Sequence, residues 1–254
     1  MRKVLYFVLL LSFSMLKAQD IIPPVTLDKT ILSGVGLQRV KPGWAPLERQ
    51  LHTKPVFSGD DLGIYVTTSN TAFMDWKNYA IDEFVYVLNG KAEVTPLDGE
   101  KQTFQKGDFF LVPKGFTGRW KTIETSGDFM EIAIYTKPRA PEISETIAKV
   151  PYTFSKSVQS PTELNSSKTI FKGDELQVSV LTQEKGGSQK VKLDADEFGF
   201  ILNGLLKVID TTGKETHYFS GECYVLPKNF EGTLEFDGFD VFQAITVTSC
   251  LESA

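Results

Sequence analysis

The feature that most constrains this chain is that it repeats itself. Residues 54–120 lie over residues 168–234 without a gap. KPVFSGDDLGIYVTT (54–68) falls on KTIFKGDELQVSVLT (168–182), and the stretch from Asp82 to Gly118 falls on the stretch from Asp196 to Gly232. The matches include Phe57 with Phe171, Gly59 with Gly173, Asp60 with Asp174, the Asp-Glu-Phe triplets at 82 and 196, and the Leu-Asn-Gly triplets ending at Gly90 and Gly204. Gly107 with Gly221, Pro113 with Pro227, Phe116 with Phe230 and Gly118 with Gly232 complete the register. Chance similarity does not hold one register over such a span, so the chain is an internal duplication and must fold as two copies of one unit.

Each copy has the grammar of a β domain. Runs such as FVYVLNG, AEVTPLDG and DFFLVP alternate large apolar with other residues and stop at Asn-Gly, Asp-Gly and Pro-Lys-Gly turn signals. Short antiparallel strands at that spacing predict an all-β barrel or sandwich in each half. The one plausible helical stretch is EISETIAK (142–149), between the copies. Prolines and a Ser-rich segment mark the connection. The expected division is a signal segment at 1–18, an N-terminal arm at 19–53, barrel one at 54–140, a linker at 141–167 and barrel two at 168–254.

The repeat resembles a cupin. In each half a glutamate precedes a glycine by seven positions (Glu83 to Gly90, Glu197 to Gly204), and a second cassette follows, Gly107 to Pro113 and Gly221 to Pro227. This order is similar to the two motifs of the cupin superfamily. The first half is closest to the cupins grouped with ureidoglycine aminohydrolase and the ethanolamine-utilisation cupin. The resemblance implies two tandem RmlC-like jelly-roll barrels, a bicupin.

Many cupins hold a metal with a His-x-His pair, the first-motif Glu and a His five residues after the second-motif Pro. Here the Glu positions are Glu83 and Glu197, but the last position is Gly118 or Gly232. The pair positions fall on Lys77 and Tyr79 or on Trp76 and Asn78 in copy one, and on Val191 and Leu193 or Lys190 and Lys192 in copy two. The chain has only His52 and His217, and neither falls on a ligand position. Transition-metal sites need three or four N, O or S donors, so no metal or other cofactor is expected. An ordinary metal site would need Asp82, Asp194 or Asp196 as substitute ligands.

Strand alternation places Val85 and Val87 on the side of Glu83, and Gly118 on the side of Trp120. Copy one therefore offers Lys77, Tyr79, Glu83 and Trp120 as an interior: an ammonium, a carboxylate and two aromatic surfaces. Copy two offers Glu197, Gly199, Ile201, Gly232 and Leu234, which reads as filled. The bland alternatives are an ion pair of Glu83 with Lys77 or Arg119, and a core role for Trp120.

The first 20 residues combine Arg2 and Lys3, an apolar run from Val4 to Leu16 and Ala18 before Gln19. This is the pattern of a secretory signal, too short for a spanning helix, and implies a periplasmic or secreted protein. Loss of residues 1–18 would remove three basic residues and move the net charge from -5 to -8. An acidic exported protein gains nothing electrostatically from nucleic acid or an anionic membrane surface. Cys223 and Cys250 could pair in an oxidising compartment, or sit unpaired in the core. No nucleophile elbow, phosphate loop or dinucleotide fingerprint is present.

Two functions from different classes follow. One is an exported, metal-independent bicupin that binds a small molecule in its first barrel, with a homodimer as one possible assembly. The other is an enzyme related to ureidoglycine aminohydrolase, acting on a small amide, amine or sugar-like substrate with Glu83 as acid or base. A third possibility is a purely structural or accessory domain.

Overall fold

The computed structural model describes residues 21–43, 48–137, 153–154 and 163–250. The expected signal segment, the stretch 142–149 and most of the linker lie outside the described residues. The described part is built almost wholly of antiparallel strands in four sheets. In the first half a seven-stranded sheet runs in the order Thr153–Phe154, Phe109–Val112, Glu83–Asn89, Phe129–Thr136, Leu62–Ser69, Leu51–Ser58, Gln38–Val40. A four-stranded sheet faces it, in the order Ala72–Trp76, Gly118–Ile123, Lys91–Pro96, Gln102–Gln105. The second half repeats the plan with a six-stranded sheet centred on Glu197–Asn203 and Val241–Ser249 and a four-stranded sheet centred on Glu231–Asp237 and Leu205–Asp210. The all-β reading and the duplication are thus those of the structure. Strands Leu51–Ser58 and Ser166–Lys172 cross the expected starts of the two barrels at 54 and 168.

The alternation of each central strand divides its side chains between two cores. In Glu83–Asn89, Val85 and Val87 join the interior of barrel one, packing with Phe104, Phe110, Phe116 and Trp120. Phe84, Tyr86 and Leu88 point the other way, into a core shared by both barrels that also takes Leu62, Ile64, Ile132, Phe171, Val178, Phe198 and Val247. The large sheets of the two barrels therefore pack against each other through their outer faces. Each fully buried aromatic or aliphatic side chain there contributes about 1.5–3 kcal/mol.

A reciprocal polar junction fixes that packing. The Asp82 carboxylate accepts from Lys114 N (2.8 Å) in its own barrel and from Glu175 N (2.9 Å) and Leu176 N (3.1 Å) in the other. Asp196 does the same in reverse, accepting from Lys228 N (2.7 Å), Asp61 N (2.8 Å) and Leu62 N (3.0 Å). Ion pairs Lys114–Glu175 (3.1 Å) and Lys228–Asp61 (3.5 Å) flank the two junctions. The loops that receive these carboxylates must be glycine at one position. A Cβ on Gly59 would stand 2.0 Å from Asp196 Oδ2, and one on Gly173 would stand 2.1 Å from Asp82 Oδ2. The repeat matches at Gly59/Gly173 and Asp82/Asp196 are the two halves of this contact. Asp82 and Asp196 are committed to backbone N–H groups, which removes them as the substitute metal ligands considered above.

The segments before each barrel also cross over. Val25–Thr26 pairs with Tyr224–Val225 of barrel two, and Thr153–Phe154 pairs with Phe109–Phe110 of barrel one. The described helix is a single turn in the arm, Lys29–Leu32, capped by the Asp28 side chain on Thr30 N (2.7 Å). Cys223 and Cys250 are both free thiols, Cys223 buried in the shared core.

Replacing Asp82 or Asp196 by Ala leaves three inward N–H groups without their acceptor, which is expected to cost about 3–5 kcal/mol in each variant. Urea denaturation checks this, and a loss below about 1 kcal/mol would show that the junction is not what holds the barrels together.

Candidate functional site

Barrel one encloses a cavity of about 560 Å³, within the usual range for small-molecule sites. All four residues singled out from the sequence line it: Lys77, Tyr79, Glu83 and Trp120. They are not equivalent. Glu83 and Trp120 are buried, at 8% and 3% exposure, Tyr79 is half-buried and Lys77 is exposed at the rim. Glu83 begins its strand, on the same face as Val85 and Val87, opposite Val112. Trp120 sits opposite Met74 and Val94 in the facing sheet, its ring edge-on to Phe110 at 5.4 Å.

Two cavity residues complete the polar floor and were not foreseen. Glu131, 4% exposed, lies on Phe129–Thr136 opposite Val87, on the strand next to that of Glu83 and on the same inner face. Arg49, 7% exposed, comes from the arm just before Leu51–Ser58 and contacts Met74 Sδ. The expected ion pairs of Glu83 are corrected accordingly. Arg119 binds Asp75 on the surface at 2.7 and 2.9 Å, and no ion pair joins Lys77 to Glu83 among the described residues. Glu83 Oε2 instead accepts from the Tyr79 hydroxyl at 2.5 Å, and Arg49 supplies the nearby positive charge.

Burial is the dominant force on these groups. It raises the Glu83 carboxyl, against the lowering effects of the Tyr79 hydrogen bond and Arg49. Burial and the neighbouring Glu83 push Glu131 up to about 8, again opposed by Arg49. Burial and Glu83 likewise hold the Tyr79 phenol well above its ordinary value. The two carboxyls cannot both ionise cheaply beside one guanidinium, so one of them keeps its proton at neutral pH. On the cavity lining the buried Trp120 Nε1 and Glu131 Oε2 have no hydrogen-bond partner among the described residues. The rest of the wall is aromatic, with Trp76 edge-on to Tyr79 at 4.7 Å and Tyr65 stacked on Tyr135 at 5.1 Å.

The corresponding interior of barrel two is occupied by its own side chains. Tyr224 stands where barrel one has Phe110, and Gly199 where it has Val85. A Cβ on Gly199 would lie 2.0 Å from Tyr224 Cζ, so the glycine makes room for the phenol to lean across the barrel and donate to Glu197 Oε1 at 3.2 Å. Phe230, Leu234, Phe236 and Phe242 pack the remainder. Ala244, opposite Ile201, takes the place of Glu131. Burial raises Glu197 to about 7.

A metal of the cupin kind does not fit either barrel. At Gly118, where the resemblance would put a histidine, an added Cβ would meet Thr95 O at 2.3 Å and Phe116 Cζ at 2.8 Å. Gly232 is equally closed, 2.4 Å from Ile209 O. Among the described residues no three His, Cys, Asp or Glu side chains converge, and in barrel one a guanidinium is the charge partner of Glu83. His52 is on a strand pairing with Arg39, and His217 is exposed beside Glu215.

Glu131 binds a proton in the folded chain that an unfolded carboxyl releases near its ordinary value of 4.5. Its contribution to stability is complete below that value and is lost as pH rises through about 8. The groups facing it are Glu83, Arg49 and Tyr79, with Tyr135 four residues further along its own strand. Glu131→Gln is therefore expected to leave stability at pH 5 nearly unchanged and to raise Tm at pH 9 by several degrees, about 2–4 °C for each kcal/mol of relieved strain. Thermal unfolding at both pH values checks the sign, and an equal effect at pH 5 and pH 9 would mean that Glu131 is not held protonated.

The EutQ-like cupin domain family matches residues 71–127 and 172–241, half of the chain. Among curated proteins no sequence matches. Solved structures share the fold. A cupin 2 conserved barrel domain protein from Leptotrichia buccalis is 18% identical with a TM-score of 0.59, covering 91% of this chain and 98% of its own. A protein of unknown function from Pseudomonas syringae pv. tomato, of the DUF861 family, is 12% identical with a TM-score of 0.61, covering 89% and 99%. Oxalate decarboxylase from Bacillus subtilis, described for its Mn(II) centres, is 13% identical with a TM-score of 0.50, covering 91% and 78%. The two matched segments, one in each barrel, and the shared architecture make the chain a member of the cupin superfamily, of the EutQ-like kind.

Proposed function

We propose that this bicupin is an exported, metal-independent small-molecule binding protein whose first barrel holds the ligand. The observation that carries the reading is the cavity of barrel one with a buried indole N–H and a buried carboxyl oxygen left without partners on its wall. A buried unpaired polar group costs about 1–3 kcal/mol, and a ligand that supplies an acceptor to Trp120 and a partner to Glu131 recovers it. Barrel two supports the division of labour, because Tyr224 and Gly199 fill the equivalent space. The export part rests on the basic, apolar and small-residue order of the first 19 residues. Metal independence rests on the closed space at Gly118 and on Arg49 as the charge partner of Glu83.

The acid pair favours a second reading, an enzyme related to ureidoglycine aminohydrolase in which Glu83 works as acid or base. Tyr79 at 2.5 Å and the raised carboxyls Glu83 and Glu131 are the kind of groups that move protons near neutral pH. Turnover of a bound compound, absent in Glu83→Gln, would decide for it.

A thermal-shift screen of small metabolites on the chelator-treated chain tests the binding reading. Ligands that stabilise wild type are expected to bind about tenfold more weakly to Trp120→Phe, which keeps an aromatic ring on the wall and removes the indole N–H, and to Glu83→Gln. Equal stabilisation of all three proteins would place the ligand elsewhere. Elemental analysis of untreated protein is expected to find no stoichiometric Mn, Zn or Fe, and a full equivalent lost together with binding on chelation would overturn metal independence.

A further inference from the structure

The chemistry of the first-barrel wall narrows the class of its occupant, an inference that rests on the binding reading above. The demands on a ligand are of three kinds. Trp120 Nε1 requires an acceptor, and Glu131 Oε2 requires a partner that can donate to it or accept from it. An aromatic hydrocarbon would fill the space and leave both unmet, so the ligand must carry polar groups on its edge.

Charge is the second demand. The buried ionisable groups are Arg49, Glu83 and Glu131, with Tyr79 a neutral phenol bonded to Glu83. One guanidinium balances one carboxylate, and the other carboxyl is kept neutral by burial and by its neighbour. The interior is thus close to uncharged. An anion entering it would meet two acidic groups and a guanidinium already engaged, with the Lys77 ammonium exposed to water at the rim. An ammonium would stand beside Arg49 and would have to strip a proton from the acid pair. A neutral ligand with hydroxyls pays neither cost, because a hydroxyl both donates and accepts.

Shape is the third. The walls offer flat rings from several directions, Trp76 and Tyr79 on one side, Tyr65 and Tyr135 on another, and Trp120 between the sheets. Such rings cover the C–H faces of a saturated ring while its rim of hydroxyls reaches the polar floor. We infer that the occupant of barrel one is an uncharged, polyhydroxylated ring, a neutral sugar or cyclic polyol.

The test is calorimetric titration of the full chain with matched probes: glucose, glucosamine and glucuronate, galactose, galactosamine and galacturonate, and myo-inositol. The expected result is binding of at least one neutral ring at least tenfold tighter than its amino and acid counterparts. That binding should fall about tenfold in Trp120→Phe and in Glu131→Gln, each checked to unfold near the wild-type Tm. A charged counterpart that binds as tightly as the neutral ring overturns the inference, as does the absence of binding by every neutral ring. If the metabolite screen then yields a Trp120-dependent ligand without ring hydroxyls, the ligand class falls and the first-barrel reading stands. If it yields no Trp120-dependent ligand, both fall.

Discussion

The architecture depends on two aspartates that each serve both barrels. Asp82 and Asp196 tie the Pro-Lys turn of their own barrel to the Gly-containing loop of the other, through three backbone N–H groups apiece. A carboxylate surrounded by N–H donors has no low-energy alternative once buried, so the junction sets the register of one barrel on the other. The apolar contact of Phe84, Ile132 and Leu62 with Phe198, Val247 and Leu176 supplies the affinity, and the aspartates supply the geometry. Because the units are copies, the contact is made twice, which is why a duplicated gene can satisfy it with one motif.

This arrangement leaves the inner face of each barrel free to diverge. In a strand such as Glu83–Asn89 the outward residues are held by the neighbouring barrel, while the inward ones answer only to their own interior. The copies have used that freedom in opposite directions. Val85 with Phe110 leaves a space that Arg49 and Glu131 make polar, whereas Gly199 with Tyr224 closes it. The Asp-Glu-Phe triplet shows the division within three residues: Asp82 and Phe84 face the partner barrel, and Glu83 faces the cavity.

The same division explains what was legible in the sequence. The repeat register and turn spacing exposed the two β units, because residues that build the junction and the turns are the ones both copies retain. Period-two alternation then placed Glu83 and Trp120 inward. Arg49 was hidden because it precedes the repeated span and belongs to an arm with no periodic pattern. Glu131 was hidden because it follows the gapless span, and its counterpart in copy two is alanine, so the duplication offered no motif to mark it. The alternation of Glu131, Ala133 and Tyr135 in FMEIAIYT was a signal for an inward carboxyl, readable once the strand was assigned. The exposure of Lys77 was not readable, since it lies just beyond the end of Ala72–Trp76 where alternation stops.

The cost of the polar floor in barrel one bears on why it is there. Burying Arg49, Glu83 and Glu131 takes ionisable groups out of water, and well-packed apolar residues in their place are often neutral or stabilising by about 1–4 kcal/mol. Here barrel two is that alternative, built on the same strands, with Ala244 for Glu131 and a closed aromatic interior. The fold is therefore complete without Glu131, Arg49 and the unpartnered indole, whereas the position of Glu83 keeps a buried carboxyl, Glu197, bonded to Tyr224. Their retention in one copy is not accounted for by barrel closure, nor by the junction, whose carboxylates and N–H groups lie in the loops and strand starts between the barrels. On the binding reading proposed above, their role is contact with the ligand that enters the cavity.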